Sequence, residues 1–371
     1  MSFKQKLTHN LLNIPGWRTK CHIVVIESDD WGSIRMPSKA VYDEFLKRGV
    51  QVERDPYCRY DGLATSDDLS ALFDVLKSVK DSNGHPAIVT ANAVVANPVF
   101  DKIKESGFQE YFYEPFTETL NKSEAHRGAF EMWKQGMDEG VFHPQFHGRE
   151  HLNVKKWLRT LRSDDEVTRL AFDLGTFGLT SAVDPRIKKN YMGAFNSGLD
   201  DDILEYNQII NEGLPLFERL FGYKSESFIA TTYTWNPKIE PNLKANGVNY
   251  LQGMVHQHIP LDDDTTFKWK KNNFIGCTSP GGLTYLMRNC YFEPSQNGGD
   301  AKDCMNRIRI AFRWHKPAII CMHRLNVIGS IDERNRKENL KSLKWLLKQI
   351  LTEFPDTEFM SSDELGRIID K

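Results

Sequence analysis

Six short runs of mainly apolar, often β-branched residues alternate with longer segments of helical period, and this alternation restricts the fold more than any other feature. The runs cover residues 22–28, 87–95, 140–143, 228–235, 249–254 and 318–323. Each has the length of a strand, and continuous apolar character fits a strand buried on both faces. Between the second run and the one before it, Leu69, Leu72, Phe73, Leu76 and Val79 follow the capping pattern of Thr65 and Asp68 and precede Gly84. That is a helix with both of its ends marked. A second helix is expected over about 333–354, with Leu340, Leu343, Leu346, Leu347, Ile350 and Leu351 on its apolar side and Pro355 ending it. Strands alternating with helices predict an α/β chain with a parallel sheet covered on both faces, either open and doubly wound or closed into a barrel. One domain over 1–371 is the simplest organisation, with its core at about 20–365 and residues 1–19 as an N-terminal helix or arm. The polar stretches 262–264 and 295–300 are expected to be loops.

Composition narrows the function classes. With 40% hydrophobic and 11% aromatic residues the chain can bury a large core. Its 48 basic and 50 acidic residues leave a formal charge of −2, so no field gathers nucleic acid or anionic lipid. The six cysteines are scattered without a C-x-x-C pair and are expected to be free thiols in a reducing compartment. Lys4, Lys6, His9, Asn10 and Asn13 interrupt the N-terminal segment, no later run reaches the length of a membrane span, and a cytoplasmic location is expected. Phe3, Leu7, Leu11 and Ile14 recur at helical spacing, as in a short helix packed on the domain.

Three sites could carry chemistry. Asp29 and Asp30 stand where the first run ends, inside Glu27-Ser28-Asp29-Asp30-Trp31-Gly32. Successive side chains there diverge, so one carboxylate can hold a cation while its neighbour handles protons. His143 and His147 have ligand-like spacing, and Pro144 with Gly148 favours a strand-to-loop turn over a helix; His151 reads as a surface or supporting residue. His323 ends the run at 318–323, and an imidazole with an unperturbed pKa near 6.5 suits proton donation. Asp30, His143 and His147 would supply an O, N, N ligand set with an open position for water, which leaves Asp29 free as a base. Trp31, Tyr233 and Trp235 near strand ends and Arg149 are candidate substrate contacts, and the 231–234 run could offer a backbone N–H at Thr232 or Tyr233 to an oxyanion.

An Asp-Asp pair, an H-x-x-x-H motif and a late His, in this order over about residues 20–365, resemble the polysaccharide deacetylases of carbohydrate esterase family 4 with their NodB-homology domain. The resemblance implies a distorted (β/α)7 barrel with inserted loops, Asp30, His143 and His147 on a metal, Asp29 as base and His323 as acid. The family's Arg-x-Pro-aromatic motif is absent: its best counterpart, 228–233, has neither Arg nor Pro, so Arg149, Arg288 and Arg324 are open candidates for the base's partner. Glu293 is a candidate for the acid that orients His323.

The expectation is therefore a metal-dependent hydrolase that removes an acetyl group, N-linked before O-linked, from a sugar, oligosaccharide or glycan. Zinc is the expected ion, with cobalt, nickel or manganese compatible with the same donors. One alternative is a catalytically silent carbohydrate-binding protein on the same barrel. Another is a metal-independent glycoside hydrolase that uses Asp29 and Glu150.

Overall fold

A computed structural model describes residues 3–261, 267–271, 273–296 and 299–371. The expected loop at 262–264 and part of the one at 295–300 lie outside the described residues. The six apolar runs hold the parallel strands β1 (Ile23–Trp31), β2 (Val89–Val94), β3 (Phe142–Gly148), β4 (Ser227–Phe228), β5 (Tyr250–Met254) and β8 (Ala318–His323), and two short strands that no run marked, β6 (Thr284–Arg288) and β7 (Cys290–Tyr291), join them. They hydrogen-bond in the order β6-β5-β4-β3-β2-β1-β8-β7. Asn289 links β6 directly to β7, and its N–H and side-chain oxygen pair with the backbone of Ile319, so the ends of the sheet meet. Counting β6 and β7 as one interrupted strand, the sheet is a nearly closed, distorted barrel of seven. A ninth strand, β9 (Glu358–Phe359), pairs with the start of β1 at Ile23 and Val24.

Two boundaries differ from the sequence pattern. The third run continues through Gly148 instead of ending at His143, because Pro144 fits extended backbone as well as a turn. The fourth run holds only a two-residue strand. Beyond it the chain turns through Thr231–Tyr233, where Thr232 and Tyr233 both have left-handed φ, two residues in succession that break regular strand pairing.

Helices cover the barrel. Among them α2 (Ser66–Lys77) carries the Thr65/Asp68 capping box, and α3 (Glu333–Glu353) buries Leu340, Leu343, Leu346, Leu347 and Ile350. The C-terminal α4 (Ser362–Ile369) closes the N-terminal end of the barrel: the Ser362 N–H donates to Thr90 Oγ1 and its hydroxyl to Glu27 Oε1. At the opposite end, residues 34–58 and 152–192 build two satellite apolar clusters around Trp157 and Phe45. These inserted segments overhang the C-terminal ends of the strands, where sites of α/β proteins form. The N-terminal α1 (Phe3–Leu12) packs through Asn10, whose side chain accepts from Trp314 Nε1 at 2.9 Å, while Leu7, Leu11 and Ile14 face solvent. The expected packing face of this helix is thus its outer face. Among the described residues no helix is long and apolar enough to cross a membrane.

Candidate active site

The register between β1 and β8 sets Asp29 opposite His323, so two residues almost three hundred positions apart become neighbours at one rim. Immediately beyond, the pairing of β1 with β2 slips between Ser28 and Trp31, and Asp30 takes a φ of 74°. A bulge of this kind rotates a side chain out of the strand alternation. It lets Asp29 and Asp30 line the same cavity of about 240 Å³ when a regular strand would aim them apart.

Asp29 is held by a dense buried network. Arg288, at the end of β6, donates to both of its oxygens at 2.6 and 2.7 Å, and Asn92 Nδ2 donates to Oδ1 at 2.8 Å. Arg288 Nε also donates to the buried Glu27 at 2.6 Å. Of the three arginines open as partners of the base, Arg288 is therefore the one that reaches it; Arg324 binds Asp61 and Arg149 binds Glu150. Burial alone would raise the Asp29 pKa, but the guanidinium outweighs it and holds the carboxyl well below the ordinary range.

His323 faces Asp29 with Nε2 at 3.7 Å from Oδ2. Its other nitrogen, Nδ1, is 2.5 Å from Glu293 Oε1, and Asn326 Nδ2 donates to the second oxygen of Glu293. Burial disfavours the imidazolium, yet Glu293 first, then Asp29 and Asp30, raise its pKa to about 9. The Tyr233 hydroxyl sits between the two groups, 3.3 Å from Asp29 and 3.5 Å from His323.

Asp30, His147 and His151 each present one donor atom, all within 4.8 Å of one another. Gly148, with a φ of 128°, turns the chain at the end of β3 so that the rings of His147 and His151 meet edge to face at 5.1 Å. His147 Nδ1 donates to the Ile229 carbonyl at 2.9 Å, which fixes the tautomer whose bare Nε2 points at Asp30 Oδ1, 3.6 Å away. That Nε2 is buried and has no hydrogen-bond partner. An orphaned imidazole lone pair beside an ionised carboxylate is what a divalent cation would satisfy, so the residues fit a metal. Arg35 donates to the other oxygen of Asp30 at 2.9 Å, and the Asp30 carboxyl stays well below its usual pKa, burial being outweighed first by Arg35 and then by His151. Glu293, Cys321 and His323 also cluster, but burial pushes the Cys321 thiol up to about 12. A neutral thiol there is a poor ligand, and Glu293 is already committed to His323.

Several expected site residues lie elsewhere. His143, expected on the metal with Asp30, is at the far end of β3. At roughly 3.3 Å per residue it is about 13 Å from His147, and its Nε2 contacts Asp363 of α4 at 3.1 Å. His151, read from the sequence as a surface or supporting residue, takes the place expected for His143. Trp31 is buried against Trp133 and Phe142 with its N–H on Ser28, Trp235 is buried with its N–H on Glu240, and neither lines the cavity. Arg149 is sequestered by Glu150 and Glu212, which also removes Glu150 as a partner carboxylate for Asp29. Thr232 and Tyr233 do line the cavity, although the Tyr233 N–H is spent on the Ala230 carbonyl at 3.0 Å. Residues the sequence did not single out, Arg35, Asp55, Tyr57, Thr180, Asn190 and Met192 among them, also line it.

No family model matches the chain, and no curated protein matches it. Solved structures similar to it include a probable polysaccharide deacetylase from Pseudomonas aeruginosa PAO1, at 10% identity over 94% of this chain and 91% of that one, with a TM-score of 0.46. Puue allantoinase aligns at 11% identity over 95% and 91% of the two chains, with a TM-score of 0.44. A mutant of a CE4 family pseudoenzyme aligns at 10% identity over 95% of this chain and 70% of its own, with a TM-score of 0.40.

Proposed function

We propose that the chain is a metal-dependent hydrolase that removes an acetyl group, amide-linked in preference to ester-linked, from a sugar, oligosaccharide or glycan. One observation carries the reading: a cavity of about 240 Å³ joins a carboxylate–imidazole donor set, an arginine-clamped carboxylate and a glutamate-held imidazolium. Asp30, His147 and His151 would hold the ion. A divalent cation there supplies Lewis acidity toward an acyl oxygen and lowers the pKa of water, and zinc suits two imidazoles and a carboxylate, with cobalt, nickel or manganese compatible.

The protein's own groups then divide the proton work. Asp29, kept ionised by Arg288 and oriented by Asn92, accepts the proton of the attacking water. His323 is protonated at neutral pH and stands across the cavity from Asp29, positioned to hand its Nε2 proton to the departing amine. Glu293 keeps that imidazole charged and fixes its ring. The Tyr233 hydroxyl and the Thr232 N–H are the remaining candidates to steady charge on the acyl oxygen.

Metal content by mass spectrometry, set beside acetate release from acetylated sugars, tests the proposal. About one ion per chain, absent from a His147→Ala, His151→Ala double variant, together with acetate release by the wild type, supports it. A wild type that takes up no metal after incubation with zinc removes it.

A further inference from the structure

On the far side of Tyr233 lies a second cavity of about 310 Å³. Leu12, Met254, Val255 and Tyr291 give it a largely apolar wall, and Thr232 and Tyr233 belong to this cavity and to the reaction cavity alike. Close-packed interiors do not leave hollows of this size, whereas ligand pockets begin there. An apolar hollow holds water poorly and accepts hydrocarbon. Several polar groups in its wall are engaged with protein: Arg288 with Glu27 and Asp29, Asn289 with Asn13 and the Pro317 carbonyl, His9 with Arg307. His256 and His258 also stand in this wall, and its larger, apolar part offers little to the hydroxyls of a second sugar ring. The helix that contributes Leu12 also turns Leu7 and Leu11 to solvent at i and i+4, at 52% and 56% exposure, and Ile14 just past its end is 39% exposed.

We propose that this cavity is a subsite for the hydrocarbon tail of an amphiphilic substrate, with the acylated head on the other side of Tyr233 against Asp29 and His323. The head's placement rests on the hydrolase reading above; the tail's placement rests on the cavity itself. The outward strip on α1 suits a substrate presented from a micelle or bilayer, because a nearby apolar surface shortens the tail's path through water.

Calorimetric titration of the full-length protein with ethyl, butyl and octyl β-glucosides, each below its micelle concentration, tests the subsite. Each buried methylene multiplies affinity by about fourfold at most. The octyl probe is expected to bind at least about tenfold more tightly than the butyl probe, and Leu12→Asp and Val255→Asp, shown by thermal melting to be folded, are expected each to remove that gain. Affinity independent of chain length, or a gain that survives both substitutions, overturns the proposal. The readout needs no turnover. Chain-length selectivity without acetate release would count against the hydrolase reading alone, and acetate release without chain-length selectivity would count against the subsite alone.

Discussion

Replacing Arg288 by Met leaves Glu27 and Asp29, both almost fully buried, without their shared counter-ion. The side chains are similar in length, so packing is largely kept and the electrostatic loss dominates. Removing one partner of a buried ion pair costs about 3–5 kcal/mol, and two stranded carboxylates place this case at the upper end or beyond. For a chain this large, at about 2 °C per kcal/mol, the melting midpoint should fall by roughly 10 °C or more near pH 8. The loss should also depend on pH. Burial already raises the Glu27 pKa in the native protein, with Arg288 the main opposing influence. Without the guanidinium that pKa rises further above its unfolded value. A group raised in the folded state contributes stability that is complete below its unfolded pKa and is lost as pH climbs through its folded one. The gap between variant and wild type should therefore narrow as pH falls from 8 to 5, and Glu27→Gln added to Arg288→Met should recover part of it. Thermal and urea midpoints followed by circular dichroism at both pH values measure this. A loss under about 1 kcal/mol at pH 8, or a gap indifferent to pH, would refute the claim that Arg288 neutralises these carboxylates.

Three further outcomes are expected. His147→Ala and His151→Ala should each lose bound metal in elemental analysis while His143→Ala keeps it, since His143 sits on Asp363 at the other end of the barrel. Asp29→Asn should bind metal normally yet lower acetate release by about 10²–10⁴, the usual contribution of a positioned base; wild-type rates in this variant would exclude Asp29 from that role. The rate should decline as pH rises through about 9, where His323 loses the proton it donates, and Glu293→Gln should move that decline to lower pH because its largest raising influence is gone. A pH–rate profile whose alkaline side does not move in Glu293→Gln would show that another group is the acid.

Much of the site could be read from the chain alone where one residue type and one strand end coincide. Asp29, Asp30 and His323 follow uninterrupted apolar runs, so strand direction alone brings them to the C-terminal rim. The histidine motif was ambiguous for a physical reason: His143, His147 and His151 form two overlapping pairs at the same spacing, and the length of β3 decides which pair reaches the rim. Pro144 made the shorter strand plausible, whereas the ladder to β2 carries the strand on to Gly148. Arg288 stood beside Arg149 and Arg324 as a candidate because β6 is short and has no strong alternating pattern, and only its full register with β5 brings it, of the three, to Asp29. Trp31 and Trp235 were misplaced by their nearness to strand ends; an indole is as well satisfied by a buried hydroxyl or carboxylate as by a sugar face.

Local sequence thus determined many of the elements and their order: apolar runs for six of the strands, a capping box for α2, an apolar side and Pro355 for α3, and acidic and imidazole residues at strand ends. Those are properties of short windows, decided by period and by backbone preference. Tertiary structure alone decided which donors converge. The bulge at Asp30, the left-handed turn at Gly148 and the joint at Asn289 are each set by pairing with a strand distant in sequence. Arg288 meets Asp29 across 259 positions and His323 meets Glu293 across 30. Contacts of that kind exist only after the sheet has curled on itself, because a charge finds its partner through the register of the closed barrel and not through any spacing along the chain.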